Sequence, residues 1–142
     1  MIYSQNRSEQ RAFLSNAWVK FQNNENLDPM ESQLVEIIKL HPEYHHLIQI
    51  TDVEYFPEHG QVNPFLHINL HLALREQLSI NQPIEVRLAY DSLLEKIKDP
   101  HEVEHTLIDC IAEMIFSAQK NNQELNFIRY KNCIKSFVRI SK

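Results

Sequence analysis

The segment from Asn63 to Leu78 reads NPFLHINLHLALREQL and is the most apolar stretch of the chain. Its apolar residues recur every three to four positions, which is typical of an α-helix that buries one face. Pro64 suits the first helical position, because the N–H that proline lacks would have no intrahelical partner there. His67 and His71 fall within the apolar stripe, four residues apart. The segment therefore predicts a largely buried helix with two imidazoles on one face.

Prolines mark predicted helix starts elsewhere in the chain as well. Further prolines follow plausible helix boundaries at Pro29, Pro42, Pro83 and Pro100. The single glycine, Gly60, leaves little for the tight turns of β-hairpins. We predict helices at about 8–23, 29–40, 42–49, 64–80, 83–98, 100–121 and 124–138, and a loop over about 50–62. The expected fold class is all-α, as a single compact bundle-like domain of about six to seven helices over residues 1–142.

Two of the predicted helix starts carry the spacing of a capping box. Asp28 is followed by Glu31, and Asp99 by Glu102. In a capping box the first side chain accepts a backbone N–H bond and the acidic side chain bonds back to the cap residue. We therefore expect both glutamates to stabilise helix starts.

Composition limits the classes of partner. The formal net charge of −5 disfavours nucleic acid, whose phosphates require a basic face. No apolar run is long enough for a membrane span, and the N-terminus lacks a signal-peptide pattern. Cys110 and Cys133 lie 23 positions apart with no Cys-x-x-Cys pattern. We expect reduced thiols that fill helix faces, in a cytoplasmic protein. The sequence leaves open whether the chain forms a homo-oligomer, and it identifies no protein partner.

The histidines are the candidate site residues. The chain has eight, of which six form pairs four residues apart: His41/His45, His67/His71 and His101/His105. Because residues at this spacing share a helix face, each pair can direct two imidazoles at one point, as a metal site requires. The last two pairs both lie in or beside an apolar arc on the helical wheel. This pattern predicts a transition-metal site, with zinc, iron or nickel as the ion, and indicates no nucleotide or flavin cofactor.

In the predicted site, His67 and His71 form one wall and His101 and His105 the opposite one. His45, and after it His41, would complete the ligand shell. Glu104 falls among apolar residues on its helix, which suggests a metal ligand or an acceptor that orients an imidazole. The predicted ligand set is His67, His71, His101, His105, His45, His41 and Glu104.

Two other interpretations of the histidines are open. The segment His101–His105 reads HEVEH and satisfies both the H-E-x-x-H and the H-x-x-E-H patterns of metal-dependent proteases, with Glu102 or Glu104 as the base. Alternatively, the histidines form a buried hydrogen-bond network in a non-enzymatic interaction protein, and His41 only ends a helix. In either case His46 and His59 are expected to be exposed or in loops. The sequence leaves open whether the protein is an enzyme.

Three blocks of the sequence resemble one family of short bacterial proteins. They are HPEYH at 41–45, NPFLHINLHLALREQL at 63–78, and DPHEVEH at 99–105 followed by Ala112 and Glu113. The chain resembles the domain-of-unknown-function family 1841 through these blocks. The resemblance implies that the three histidine pairs belong to motifs of the family, and it implies no activity.

Overall fold

Every regular element in the described part of the chain is a helix. The computed structural model describes residues 7–56 and 59–138. The α-helices are α1 (Arg7–Gln22), α2 (Pro29–Lys39), α3 (Pro64–Ile80), α4 (Ile84–Ile97), α5 (Pro100–Lys120) and α6 (Phe127–Lys135). Two 3₁₀ helices, Pro42–Tyr44 and Leu47–Gln49, lie between α2 and α3. Because no strand occurs within these ranges, the predicted all-α fold class is confirmed.

The chain divides into two units, of which the first ends at Leu72 and the second begins at Ala73. The boundary falls inside α3, so the N-terminal part of this helix belongs to the first unit and the rest to the second. The expectation of a single domain stays a prediction. Among the described helices, none has the length and apolarity needed to span a membrane.

The core of the first unit forms where α1 packs against α2 and the start of α3 contributes apolar side chains. Its buried residues are Leu14, Ala17, Trp18, Leu34, Val35, Ile37, Ile38, Ile48, Phe65 and Ile68. The start of α2 is fixed as expected: Asp28 Oδ1 accepts the Glu31 N–H at 2.8 Å, and Glu31 Oε1 accepts the Asp28 N–H at 3.0 Å. This capping box satisfies two backbone N–H groups at the start of α2.

The prediction of one helix over about 42–49 is wrong. The Tyr44 N–H bonds to the His41 carbonyl, and the His45 N–H to the Pro42 carbonyl, both across three residues as in a 3₁₀ turn. The ring nitrogens of His41 and His45 bond at the same time to the last carbonyls of α2. Because these bonds hold the segment against the end of α2, it winds in two tight turns instead of a continuous helix.

In the second unit, α4, α5 and α6 pack against one another. The long helix α5 supplies most of the buried side chains: Val103, Glu104, Leu107, Ile108, Cys110, Ile111, Met114, Ile115 and Ala118. The expected capping box at its start is wrong, because Asp99 Oδ1 accepts the N–H of His101 rather than that of Glu102. The Glu102 carboxylate lies instead 3.7 Å from His105 Nδ1.

A disulfide joins α5 to α6 and corrects the expectation of reduced thiols. The sulfur atoms of Cys110 and Cys133 are bonded, and the Cα atoms lie 5.7 Å apart. The spacing of 23 residues gave no sign of this pairing, because only the packing of α6 along α5 brings the two positions together. Structural disulfides persist in oxidising compartments. The predicted cytoplasmic location loses this support and stays a prediction.

Candidate metal centre

Three histidines of the first unit bring ring nitrogens together. His67 Nε2 lies 3.1 Å from His41 Nε2 and 3.2 Å from His71 Nε2. Each residue offers one ring nitrogen to a group whose members lie within 4.8 Å of one another. His41 and His71 are 1% and 0% exposed, and His67 is partly buried. We call this set the three-histidine cluster.

Helix α3 positions two members of the cluster. Asn63 begins the helix, since its Oδ1 accepts the Leu66 N–H at 3.1 Å and its carbonyl accepts the His67 N–H at 3.0 Å. Because His67 and His71 are separated by about one turn, their rings lie one above the other, with centroids 4.8 Å apart. The spacing in the sequence predicted this pair.

The third member comes from the end of α2 and has its ring orientation fixed there. His41 Nδ1 lies 2.8 Å from the carbonyl oxygen of Ile37. A carbonyl oxygen only accepts, so Nδ1 carries the hydrogen, and in the neutral ring Nε2 bears the lone pair. Metal-binding histidines are oriented in the same way, by donating their second ring N–H to a backbone carbonyl. His41 thus presents a lone pair to the cluster and also caps the last turn of α2.

The spacing of the three nitrogens fits one metal ion. Zinc–imidazole bonds of about 2.0–2.1 Å place two ligand nitrogens about 3.4 Å apart at a tetrahedral angle and about 2.9–3.0 Å apart at a right angle. The observed separations of 3.1 and 3.2 Å lie between these values. These two separations are therefore compatible with one ion bonded to all three rings.

Hydrogen bonding between the three rings would be shared at His67 Nε2. Each Nε2 has either one hydrogen or one lone pair in the ring plane, and His67 Nε2 faces two other ring nitrogens. A network without metal would have to share that single hydrogen or lone pair between both neighbours. A metal ion instead accepts a lone pair from each ring.

Tyr44 flanks the cluster and was not predicted as a site residue. Its ring stacks on His41 with an interplanar angle of 3° and meets the ring of His67 edge-on, with centroids 5.3 and 5.6 Å away. Burial raises the pKa of the Tyr44 hydroxyl, and the neighbouring charge of Glu43 raises it further. The position of Tyr44 three residues after His41 was the only available signal, and it depended on a turn that the sequence did not predict.

His45 lies against a different set of residues. Its Nε2 is 2.8 Å from the Ile38 carbonyl, to which it donates, and its ring packs 4.4 Å from that of Trp18. The structure thus gives His45 a capping role at the end of α2. His46 and His59 are exposed, as expected.

The other histidine pair belongs to the second unit. The rings of His101 and His105 lie with centroids 4.1 Å apart on the first turns of α5. Burial lowers the pKa of His101, and the neighbouring His105 lowers it further. Both rings are partly buried, as expected for positions beside an apolar arc.

Glu104 is a buried carboxylate paired with an arginine. It is 6% exposed, and Arg75 Nε lies 3.1 and 3.2 Å from its two oxygens. This ion pair explains why a carboxylate interrupts the apolar face of α5. Arg75 reaches inward from α3 to this residue, 29 positions away in the chain. The predicted role of Glu104 as ligand or base stays a prediction.

Comparison with known proteins identifies the family and no activity. A family model described as "Domain of unknown function (DUF1841)" matches residues 6–136. No curated protein and no solved structure matches the chain. All three histidine pairs lie within the matched residues. The chain therefore belongs to the DUF1841 family.

Proposed function

We propose that His41, His67 and His71 bind one divalent transition-metal ion through their Nε2 atoms. The observation that carries this proposal is the approach of His67 Nε2 to both other Nε2 atoms, at 3.1 and 3.2 Å. The bond from His41 Nδ1 to the Ile37 carbonyl supports it, since the ring is held with its lone pair toward the other two.

The donor set limits the metal. Imidazole suits zinc, copper, iron and nickel, whereas magnesium and calcium prefer oxygen ligands. Among the described residues, the potential ligating group consists of histidines only. We therefore keep zinc, nickel and iron as the proposed ions and add copper, because imidazole ligands suit it as well.

Three protein ligands are typical of zinc sites that keep a position for water or substrate, while structural sites usually have four. Whether a fourth protein ligand joins the three-histidine cluster therefore decides between the two types. The sequence also predicts His101 and His105 as ligands, and variants at these positions test that hypothesis separately.

The experiment measures metal content and thermal stability of protein purified without a histidine tag. We expect about one equivalent of metal per chain, removable by a chelator. Saturation with zinc at a free concentration of about 100 times Kd should raise the free energy of unfolding by about 2.7 kcal/mol. His41→Ala, His67→Ala and His71→Ala should each remove this zinc-dependent gain. His46→Ala is the matched control, since it removes an exposed imidazole from the same segment as His41.

The competing function is a hydrogen-bonded histidine core in an interaction protein. In that case the three alanine variants would lower stability equally with zinc and with chelator, and purified protein would contain no stoichiometric metal. An equal loss of zinc binding in His46→Ala would also contradict the proposed ligands. If His101→Ala and His105→Ala both keep the zinc-dependent gain, the prediction that this pair supplies ligands is wrong.

A further inference from the structure

We propose that a second copy of this chain docks on the exposed side of α5, in a two-fold symmetric dimer whose two α5 helices run antiparallel. In this dimer Asp109 of each copy faces Lys120 of the other. The inference concerns the second unit only and does not depend on the proposed metal site. Three observations support it: the groove along α5, the order of charges on it and the apolar side chains near its middle.

A surface groove runs along α5 and is bordered by the start of α6. The α5 residues that line it recur every three to four positions, so they share one side of the helix. These residues, which we call the α5 stripe, are Asp109, Ala112, Glu113, Phe116, Ser117 and Lys120. From α6, Arg129 also lines the groove, and its Nε donates to Glu113 Oε1 at 2.8 Å. The start of α6 therefore lies beside the middle of the stripe.

The two ends of the α5 stripe carry opposite charges. Asp109 at one end and Lys120 at the other are both exposed, and about 16–17 Å of helix separates them. They are too far apart to pair within one chain, and in the described ranges neither forms an ion pair. A second α5 laid antiparallel on the first brings the opposite charge to both ends at once. One two-fold axis thus satisfies both charges in both copies.

The middle of the α5 stripe suits close contact between two helices. An axis midway between Asp109 and Lys120 places Ala112 of one copy opposite Ser117 of the other. Such small side chains allow helix axes to approach to about 8 Å, the short end of the usual range. Phe116, near the same point, is 40% exposed and would be covered by the second copy.

Large apolar side chains at the start of α6 extend this surface. Phe127 and Ile128 are 61% and 74% exposed, and they immediately precede the groove residue Arg129. Single exposed apolar residues are common, but several of them beside one groove with a charged border are typical of a protein–protein contact. The apolar middle and the charged ends together match the usual order of an interface, with a rim that is more polar than its centre.

The test measures the association of the chain by sedimentation velocity, with the disulfide intact and with chelator present to exclude metal-bridged dimers. At about 0.1 M salt we expect a monomer–dimer equilibrium that shifts toward monomer at about 1 M salt, because salt screens exposed charge pairs. Asp109→Lys and Lys120→Asp should each raise the dissociation constant about tenfold or more, since the two-fold axis repeats each repulsive contact. Phe116→Ser should also weaken the dimer.

Mixing the two charge variants tests the antiparallel arrangement directly. Asp109→Lys has lysine at both ends of the stripe, and Lys120→Asp has aspartate at both ends. Only a mixed dimer therefore has opposite charges at both contacts, and an equimolar mixture should regain dimers that contain one copy of each variant. Glu76→Lys is the matched control, because it reverses an exposed carboxylate of the second unit outside the stripe. It should keep the equilibrium of the unmodified chain.

Three results would overturn the inference. The first is an unmodified chain that stays monomeric up to about 100 µM, a concentration at which even a weak specific dimer is populated. The second is a dimer that neither charge reversal weakens. The third is a mixture of the two folded variants that forms no mixed dimer. Because metal is removed and the stripe contains no histidine, these results leave the proposed metal site to its own test.

Discussion

Reduction of the Cys110–Cys133 disulfide should release α6 before the rest of the second unit unfolds. The helix has nine residues, and helices of this length are marginal in water without tertiary contacts. Only Tyr130 and Ile134 on it are buried, whereas Phe127 and Ile128, at its start, are 61% and 74% exposed. The disulfide therefore supplies a large part of what holds α6 against α5.

The size of the effect follows from the loop that the disulfide closes. The two cysteines are 23 residues apart. In the chain-entropy account, closing a loop of this length reduces the entropy of the unfolded chain by an amount that corresponds to about 3.4 kcal/mol at 25 °C. For a chain of 142 residues, such a change lowers the melting temperature by roughly 10 °C.

The assay compares thermal unfolding with and without a phosphine reductant, with chelator present throughout so that bound metal makes no contribution. Hydrogen exchange followed by mass spectrometry should show faster exchange over residues 127–135 in reduced protein, at a temperature where α5 stays protected. The control is the double variant Cys110→Ala/Cys133→Ala. It should melt near the temperature of the reduced protein and should not respond to reductant.

Two results would refute this reasoning. If oxidised and reduced protein melt within about 2 °C of each other, the disulfide does not restrict the unfolded chain as the entropy account requires. If native protein from an oxidising preparation shows two alkylatable thiols per chain after unfolding, the disulfide is not formed. In the second case the original expectation of two reduced cysteines would be restored.

Three further changes test other contacts. Asp28→Ala removes the capping side chain of α2 and should lower the free energy of unfolding in urea by about 1 kcal/mol, while Asp28→Asn should keep most of it. Glu104→Gln removes the charge that pairs with Arg75 and should cost about 1–2 kcal/mol; no change would mean that water already screens the pair. Burial raises the pKa of Tyr130, whose hydroxyl donates to Gln77. The folded protein therefore resists ionisation of this tyrosine. Its contribution to the free energy of unfolding is fully present below the unfolded pKa of about 10 and is lost as pH rises above that value. Tyr130→Phe should flatten this alkaline loss in denaturant titrations, and an equally steep loss would contradict the assignment.

Much of the fold could be predicted because the chain marks its own helix starts. Pro29, Pro64 and Pro100 each begin a helix, as their preceding Asp or Asn residues predicted. Local chemistry decides these positions, since a missing N–H and a nearby side-chain acceptor act within one turn. The segment after Pro42 was predicted wrongly because local chemistry does not decide its conformation. Its conformation depends on side-chain bonds to the end of another helix, which no local pattern contains.

Two contacts that the sequence did not predict join positions far apart in the chain. The Cys110–Cys133 bond spans 23 residues, and the Arg75–Glu104 pair spans 29. Residue spacing does not show which helices become neighbours, so it predicted neither of these two contacts. In the candidate site, the spacing of His67 and His71 predicted their shared face. His41 was placed last among the predicted ligands, because its sequence position looked like a simple helix end.

His41 shows why capping and metal binding are not competing explanations for a histidine. The imidazole has two nitrogens, and the two roles use different ones: Nδ1 donates to the Ile37 carbonyl at 2.8 Å, while Nε2 lies 3.1 Å from His67 Nε2. The capping bond fixes the ring hydrogen on Nδ1 and thereby makes Nε2 a donor of electrons. Without a fixed acceptor, the ring would divide its time between tautomers, and one of them points a hydrogen at the cluster. The bond to the end of α2 therefore gives His41 the ring orientation that the proposed metal site requires. The partner of its second nitrogen is a better guide to that role than its position on the helical wheel.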